Sequence, residues 1–216
     1  MKPANDPSID YRRLVRDGYD RCAADYGAAR AREDAPELEL LLPVLSPGSR
    51  VLDLGCGAGV PVAAALARHH RVTGVDFSPE QIRRARASVR GAEFIEADLM
   101  ALSFPEGSFD AAVAFYSIFH LPREEHEELL RRVHRWLVPG GHLLATVARS
   151  REAAYMEDAF FGVTMYWSNW GRADYDRMLV EIGFELLAMR NLGHGYCDGE
   201  SRRAEVHPLL FARKPQ

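Results

Sequence analysis

Five apolar runs of β type alternate with amphipathic stretches of helical period, and this order confines the chain to a parallel sheet covered by helices on both faces. The runs span residues 49–55, 71–77, 92–99, 109–117 and 141–148; the stretches between them, 60–70, 78–90 and 122–137, carry helical spacing. Two helix starts have a mechanism. Ser78-Pro79-Glu80-Gln81 is a capping box with proline at the first helical position, and Pro122 opens a helix that Pro139-Gly140-Gly141 is expected to close. The N-terminal segments 10–30 and 36–45 also read as helices. An aromatic-rich stretch, 155–170, follows the fifth run and precedes a helix over 172–184. The last runs, 184–193 and 207–215, suit an antiparallel hairpin on the sheet edge, with the tail Arg213-Lys214-Pro215-Gln216 expected to fray.

A chain of 216 residues, 47% hydrophobic and 27% charged, suits one domain over residues 1–216, with a helical lid over about 1–45 and an aromatic insert over about 150–175. A net charge of −4 and a pI near 6.1 leave no basic footprint for nucleic acid or a membrane surface. Cys22, Cys56 and Cys197 are odd in number and widely spaced, which indicates neither a disulfide framework nor a zinc site and fits a reducing cytoplasm. No signal-peptide core and no membrane-spanning run is present in the sequence.

The alternation places Gly55-Cys56-Gly57-Ala58-Gly59 in the first strand-to-helix turn, at the carboxyl edge of the sheet where open α/β folds bind ligands. Three alternating glycines allow close backbone approach. Val60 stands where a dinucleotide fingerprint needs a third small residue, and the GK[ST] of a phosphate loop is absent, so the turn is not built for a pyrophosphate. Asp53 interrupts an otherwise apolar strand, where a carboxylate is costly unless partnered. Asp76 ends the second strand, where an acceptor-only carboxylate can take both hydroxyl protons of a ribose.

In this order and spacing, VLDLGCGAG, VTGVDFSPEQI, FIEADL, FDAAVAFYSIFHLP and LVPGGHLL resemble the motifs of the class I S-adenosylmethionine-dependent methyltransferases, over about residues 15–213. The resemblance implies a Rossmann-like, open, mostly parallel seven-stranded sheet with a C-terminal antiparallel hairpin. It implies S-adenosyl-L-methionine as cofactor. Gly55, Gly57 and Gly59 would approach the methionine portion, Asp53 its ammonium, Asp76 the ribose, and Asp98 the adenine amino group, with Leu99 beside it and Phe77 on the ring. Cys56, Gln81, Phe115 and Tyr116 join the same set, and Tyr19 and Tyr26 on the N-terminal helix point to the small-molecule branch.

A sulfonium methyl is already electrophilic, so the chain's expected contribution is proximity, orientation and exclusion of water. A base is needed only for a protonated acceptor. His120, beyond the fourth strand and titrating near neutrality, is the candidate, against a packing or helix-capping role for the same ring. His69, His70, His126, His134, His142, His194 and His207 lack ligand spacing and read as surface or packing residues. No N/D-P-P-Y/F sequence follows strand four, and no acid between Asp110 and Glu124 can hold magnesium, which leaves metal-independent transfer to a small-molecule acceptor, with oxygen or nitrogen favoured. Tyr116, His120, Tyr155, Tyr166, Trp167 and Trp170 are the candidate acceptor residues, within a stretch that also supplies core. A non-catalytic S-adenosylmethionine-binding protein stays open as an alternative, as does, less favoured, a nicotinamide-dependent oxidoreductase.

Overall fold

The structure, a computed structural model, describes residues 2–3, 9–30, 35–198 and 201–216, with side chains for 9–30, 35–192 and 207–216. The side chains of His194 and Cys197 lie outside the described residues. Strands β1 (Arg50–Leu54), β2 (Arg71–Asp76), β3 (Glu93–Glu96), β4 (Phe109–Ala114), β5 (Leu137–Thr146), β8 (Glu185–Asp198) and β9 (Ser201–Arg213) form one sheet in the order β3-β2-β1-β4-β5-β9-β8. The first five are parallel; β9 runs antiparallel to β5, and β8 antiparallel to β9. This is the expected seven-stranded sheet with its C-terminal hairpin.

Helices α2 (Val62–Leu66), α3 (Pro79–Ser88), α4 (His126–Trp136) and α5 (Arg172–Ile182) cover the two faces. Residues of β1 alternate between two cores, as a period of two requires. Leu52 and Leu54 pack with Leu129, Val133 and Tyr175 of α4 and α5, whereas Val51 packs with Ala63, Leu66 and Ile82 of α2 and α3. Burying each such leucine contributes roughly 1.5–3 kcal/mol. Asp53 shares the face of Val51. His126 packs wholly inside, bonded to the Tyr175 hydroxyl (2.8 Å) and the Leu121 carbonyl (3.0 Å), which ties α4 to α5.

From β1 the chain runs outward to β2 and β3, then returns to the other side of β1 for β4 and β5. The crevice this reversal opens lies at the carboxyl ends of β1 and β4. The N-terminal helix α1 (Tyr11–Arg30) and a hairpin of β6 (Glu152–Phe160) and β7 (Val163–Asn169) lie over that edge. The short strand Lys2–Pro3 pairs with β6. The hairpin packs on α1, with Met165 and Tyr166 against Val15 and Cys22.

Four local expectations change. The segment 36–45 forms two 3-10 turns, Pro36–Leu40 and Leu42–Val44, rather than an α-helix, because Pro43 sits within it and cannot donate to a preceding turn. The stretch from Pro122 begins as a 3-10 turn, Arg123–Glu125, before α4, and Pro139-Gly140-Gly141 lies inside β5 instead of ending a helix. The aromatic-rich stretch is the β6–β7 hairpin, closed through Phe161 (φ 46°) and Gly162 (φ 77°). The C-terminal tail is bound: Lys214 N–H donates to Gly141 (2.8 Å), Gly140 N–H to Lys214 (2.8 Å), and Lys214 Nζ to the Leu137 carbonyl (2.9 Å).

Candidate functional site

Two adjoining cavities lie in the crevice, of about 650 and 430 Å³ with open solvent included, and they share Tyr26, Gly55, Gly57 and Phe115. The strand ends supply their polar groups. Asp76, at the tip of β2, accepts the Gly57 N–H at Oδ2 and the Ser78 N–H at Oδ1, each at 2.9 Å, so one carboxylate orders the glycine loop and the entry to α3. Asp98, after β3, accepts the Met100 N–H (2.7 Å) and the Arg12 Nε–H (2.6 Å). Phe77, Gln81, Leu99, Phe115, Tyr116 and Ser117 complete the walls of the larger cavity.

Several groups there are built for something the protein does not itself provide. Gln81 is 1% exposed, and its Oε1 and Nε2 have no hydrogen-bond partner among the described residues. Asp53, 2% exposed, likewise has no partner at Oδ2. Burial, and then the charge of Asp76, push the Asp53 carboxyl up to about 7 against the opposing pull of Arg30; burial raises Asp76 to about 6. A Cβ built on Gly57, which holds φ 52°, meets only Gln81 Oε1 at 3.9 Å, so the loop borders open space. Gly59 differs: its Cβ would meet Val89 at 3.0 Å and Phe94 at 3.3 Å, and it lines neither cavity. Its bareness serves packing of the loop on α3. Cys56 and Asp53 border only the smaller cavity.

Helix α1 roofs both cavities. Arg12, Tyr19 and Tyr26, seven residues apart and therefore on one face, line the larger, and Tyr26, Gly27 and Arg30 the smaller. At 1.5 Å per residue, Arg12 and Arg30 stand about 27 Å apart along the helix. Arg30, 6% exposed, lies over the Tyr116 ring at 5.2 Å. Arg12, Arg30 and Ser117 are site residues that sequence reasoning missed; the seven-residue spacing is the signal that points to the first.

His120 is buried between lid and hairpin. Its Nδ1 lies 2.9 Å from the Tyr166 carbonyl and its Nε2 2.8 Å from the Tyr19 hydroxyl. A carbonyl only accepts, which assigns the ring proton to Nδ1 and leaves Nε2 to accept the Tyr19 O–H. Burial lowers the imidazole to about 4, so it is neutral at physiological pH rather than titrating near 7 as expected from its sequence position. Tyr116 holds φ 56°, with its N–H donated to Thr146 Oγ1 (2.6 Å). Of the other acceptor candidates, Trp167 stacks near His120 (4.4 Å between ring centroids) and Tyr166 stacks on Tyr11 (4.2 Å). Trp170 donates its indole N–H to the Arg123 carbonyl and lies between Arg123 and Arg151 at the hairpin base. Tyr155 (opposite Trp167), Tyr166, Trp167 and Trp170 line neither cavity, so of the six acceptor candidates only Tyr116 and His120 border one.

A doubly wound sheet with a glycine loop and acidic strand tips at its switch point defines an α/β protein that binds a nucleoside-bearing ligand. Residues 51–141 match a family described as a methyltransferase domain. Over 110 residues the chain is 39% identical to 27-O-demethylrifamycin SV methyltransferase of Amycolatopsis mediterranei, covering 48% of this chain and 39% of that one. It is 27% identical to (+)-O-methylkolavelool synthase of Herpetosiphon aurantiacus over 199 residues, 84% of this chain and 70% of the other. The fold superposes on the N-methyltransferase NodS of Bradyrhizobium japonicum, solved with S-adenosyl-L-homocysteine, with a TM-score of 0.73 at 22% identity, covering 94% and 100% of the two chains. Residues 51–141 thus resemble a methyltransferase domain, and the chain as a whole shares the fold of that N-methyltransferase. The chain spans about two fifths of the length of the rifamycin-pathway relative it matches. Among the described residues no helix is long and apolar enough to cross a membrane.

Proposed function

We propose that the protein transfers the methyl group of S-adenosyl-L-methionine to oxygen or nitrogen of a small-molecule acceptor without a metal, in the cytoplasm and with no nucleic-acid partner. One observation carries this: Asp53 Oδ2 and the Gln81 amide, buried and unpartnered, border the same crevice as the cradle at Gly57 and the carboxylates of Asp76 and Asp98. Asp76 would hold the ribose hydroxyls, Asp98 and Leu99 the adenine edge, Asp53 the ammonium and Arg30 the carboxylate. Calorimetric titration with S-adenosylmethionine, S-adenosylhomocysteine and NADH tests it. Binding of the first two supports the proposal, and binding of NADH alone overturns it. Production of S-adenosylhomocysteine with an added acceptor separates an enzyme from a mere binder.

The bound cofactor supplies an electrophilic methyl; the chain supplies orientation and, for a hydroxyl acceptor, a route for its proton. Tyr19 lines the cavity while His120 Nε2 accepts its hydroxyl proton. The acceptor O–H would pass its proton to Tyr19 Oη as the Tyr19 proton moves to His120 Nε2, while the acceptor oxygen would take the methyl carbon and the broken carbon–sulfur bond would leave its electron pair on S-adenosylhomocysteine. Tyr19→Phe and His120→Ala are each expected to lower kcat on such an acceptor by on the order of tenfold or more, with cofactor Kd changed by only a few-fold. Because His120 stays neutral down to about 4, the rate should show no imidazole titration between pH 8 and pH 5. Wild-type kcat/KM in both variants would remove the pair from the reaction.

The cofactor ammonium favours an ionised Asp53, whose carboxyl in the free protein is raised to about 7. Affinity is therefore expected to fall as pH drops through 7, with proton release on binding visible in buffers of different ionisation enthalpy. Asp53→Asn should bind weakly and without that dependence. The same shift stabilises the free fold below the ordinary aspartate range and withdraws that contribution as pH rises through about 7. Free Asp53→Asn should therefore melt higher than the wild type at pH 8.

A further inference from the structure

We infer that Arg12 is the latch that holds the roof helix over a bound S-adenosyl cofactor and sets its rate of release, an inference that rests on the cofactor reading above. The Arg12 guanidinium bridges two elements of the body. Its Nε donates to Asp98 Oδ2 at 2.6 Å, and its Nη2 to Glu125 Oε2 at 2.5 Å. Asp98 follows β3 and Glu125 precedes α4, so one side chain ties the first turn of α1 to both sides of the crevice. Elsewhere along α1, Tyr19 is bonded to His120, Asp20 accepts from Ser78 Oγ and the Glu80 N–H, and Arg30 lies over the Tyr116 ring. Its apolar face rests on the β6–β7 hairpin rather than on the sheet.

A roof of 20 residues covers the cavity, and a nucleoside-sized ligand leaves when that roof lifts. Arg12 closes the end where Asp98 and Leu99 would meet the adenine. Its side chain is 38% exposed, and those of Asp98 and Glu125 are 27% and 30% exposed. Such a pair is shielded enough to matter and open enough to break and re-form. Glu125 lines neither cavity and so acts on the cofactor only through Arg12.

Dissociation of S-adenosylhomocysteine, followed by rapid-mixing displacement, tests the latch without a known acceptor. Arg12→Gln is expected to raise the dissociation rate on the order of tenfold without slowing association, and Glu125→Gln by less. The double variant should release no faster than Arg12→Gln, because Glu125 works through the same guanidinium. Arg12→Lys, which offers a point charge in place of a fork, should fall between wild type and Arg12→Gln. Raising salt from about 0.05 to about 0.5 M should speed release from the wild type and leave Arg12→Gln nearly unchanged. Arg16→Gln, a loss of charge on the same helix at a residue paired with Asp17, controls for net charge and should release at the wild-type rate. A release rate for Arg12→Gln within twofold of wild type, or equal to that of Arg16→Gln, overturns the latch alone. Failure of the wild type to bind S-adenosylhomocysteine overturns the cofactor reading and the latch together.

Discussion

Asp76→Ala is expected to bind S-adenosylmethionine at least about a hundredfold more weakly than the wild type. Two losses combine. Ribose hydroxyls deprived of a charged acceptor forgo roughly 1.5–3 kcal/mol each, and a tenfold change in affinity corresponds to about 1.4 kcal/mol. The same substitution also strips the acceptor from the Gly57 and Ser78 N–H groups, so the glycine loop loses the bond that shapes it. Asp76→Asn keeps one acceptor oxygen and should fall between the two. Removing the charge further relieves Asp53, whose carboxyl is held up in part by Asp76, and the pH dependence of any residual binding should move to lower pH. Calorimetry at several pH values reads both effects, with circular dichroism as the check on folding. Undiminished affinity would place the ribose elsewhere.

Gly55→Val should damage the fold as well as the ligand site that Gly55 borders. Gly55 holds φ 76°, and a Cβ there would stand 2.3 Å from Ser117 Cβ, where the exits of β1 and β4 pass each other. Neither side can move freely, since Ser117 Oγ is bonded to the Leu54 carbonyl at 2.7 Å. A β-branched residue in this conformation and in this overlap should cost roughly 3–5 kcal/mol, which in a chain of this size lowers Tm by about 10 °C. Gly57→Ala provides the contrast: its Cβ meets nothing of the protein closer than 3.9 Å, so only the left-handed backbone (φ 52°) opposes it, and Tm should fall by less than in Gly55→Val while cofactor binding is lost. Equal melting temperatures for Gly55→Val and the wild type would show that the crossing relaxes at no cost.

The centre of the sheet was legible because β1 and β4 are apolar on both faces and because β1 and β2 stop at Gly55 and Asp76, a pattern that composition and turn chemistry expose directly. The carboxylates at strand tips were legible for the same reason: Asp76 and Asp98 stand where a buried run stops. The β6–β7 hairpin was not. It is only half buried on α1, and its turn places Phe161, not Asn or Gly, at the first left-handed position, so neither alternation nor turn residues announce it. Arg12 and Arg30 were hidden because an arginine on an amphipathic helix looks solvated until a partner from elsewhere in the chain is known. The proton position on His120 was hidden too, since it depends on a carbonyl 46 residues away. The three glycines looked equivalent, and only their neighbours separate a crossing point (Gly55), a cradle (Gly57) and a packing contact (Gly59).

The β6–β7 hairpin leaves the chain after β5 and rejoins it before α5, and its base is clasped by Trp170 between Arg123 and Arg151. No bond from it reaches Asp53, Asp76 or Asp98, while its Tyr166 carbonyl alone sets which nitrogen of His120 is free to take a proton. Replacing residues 152–169 would therefore re-poise the imidazole and take away the surface on which the roof helix rests, while the carboxylates at the strand tips beneath would keep their places.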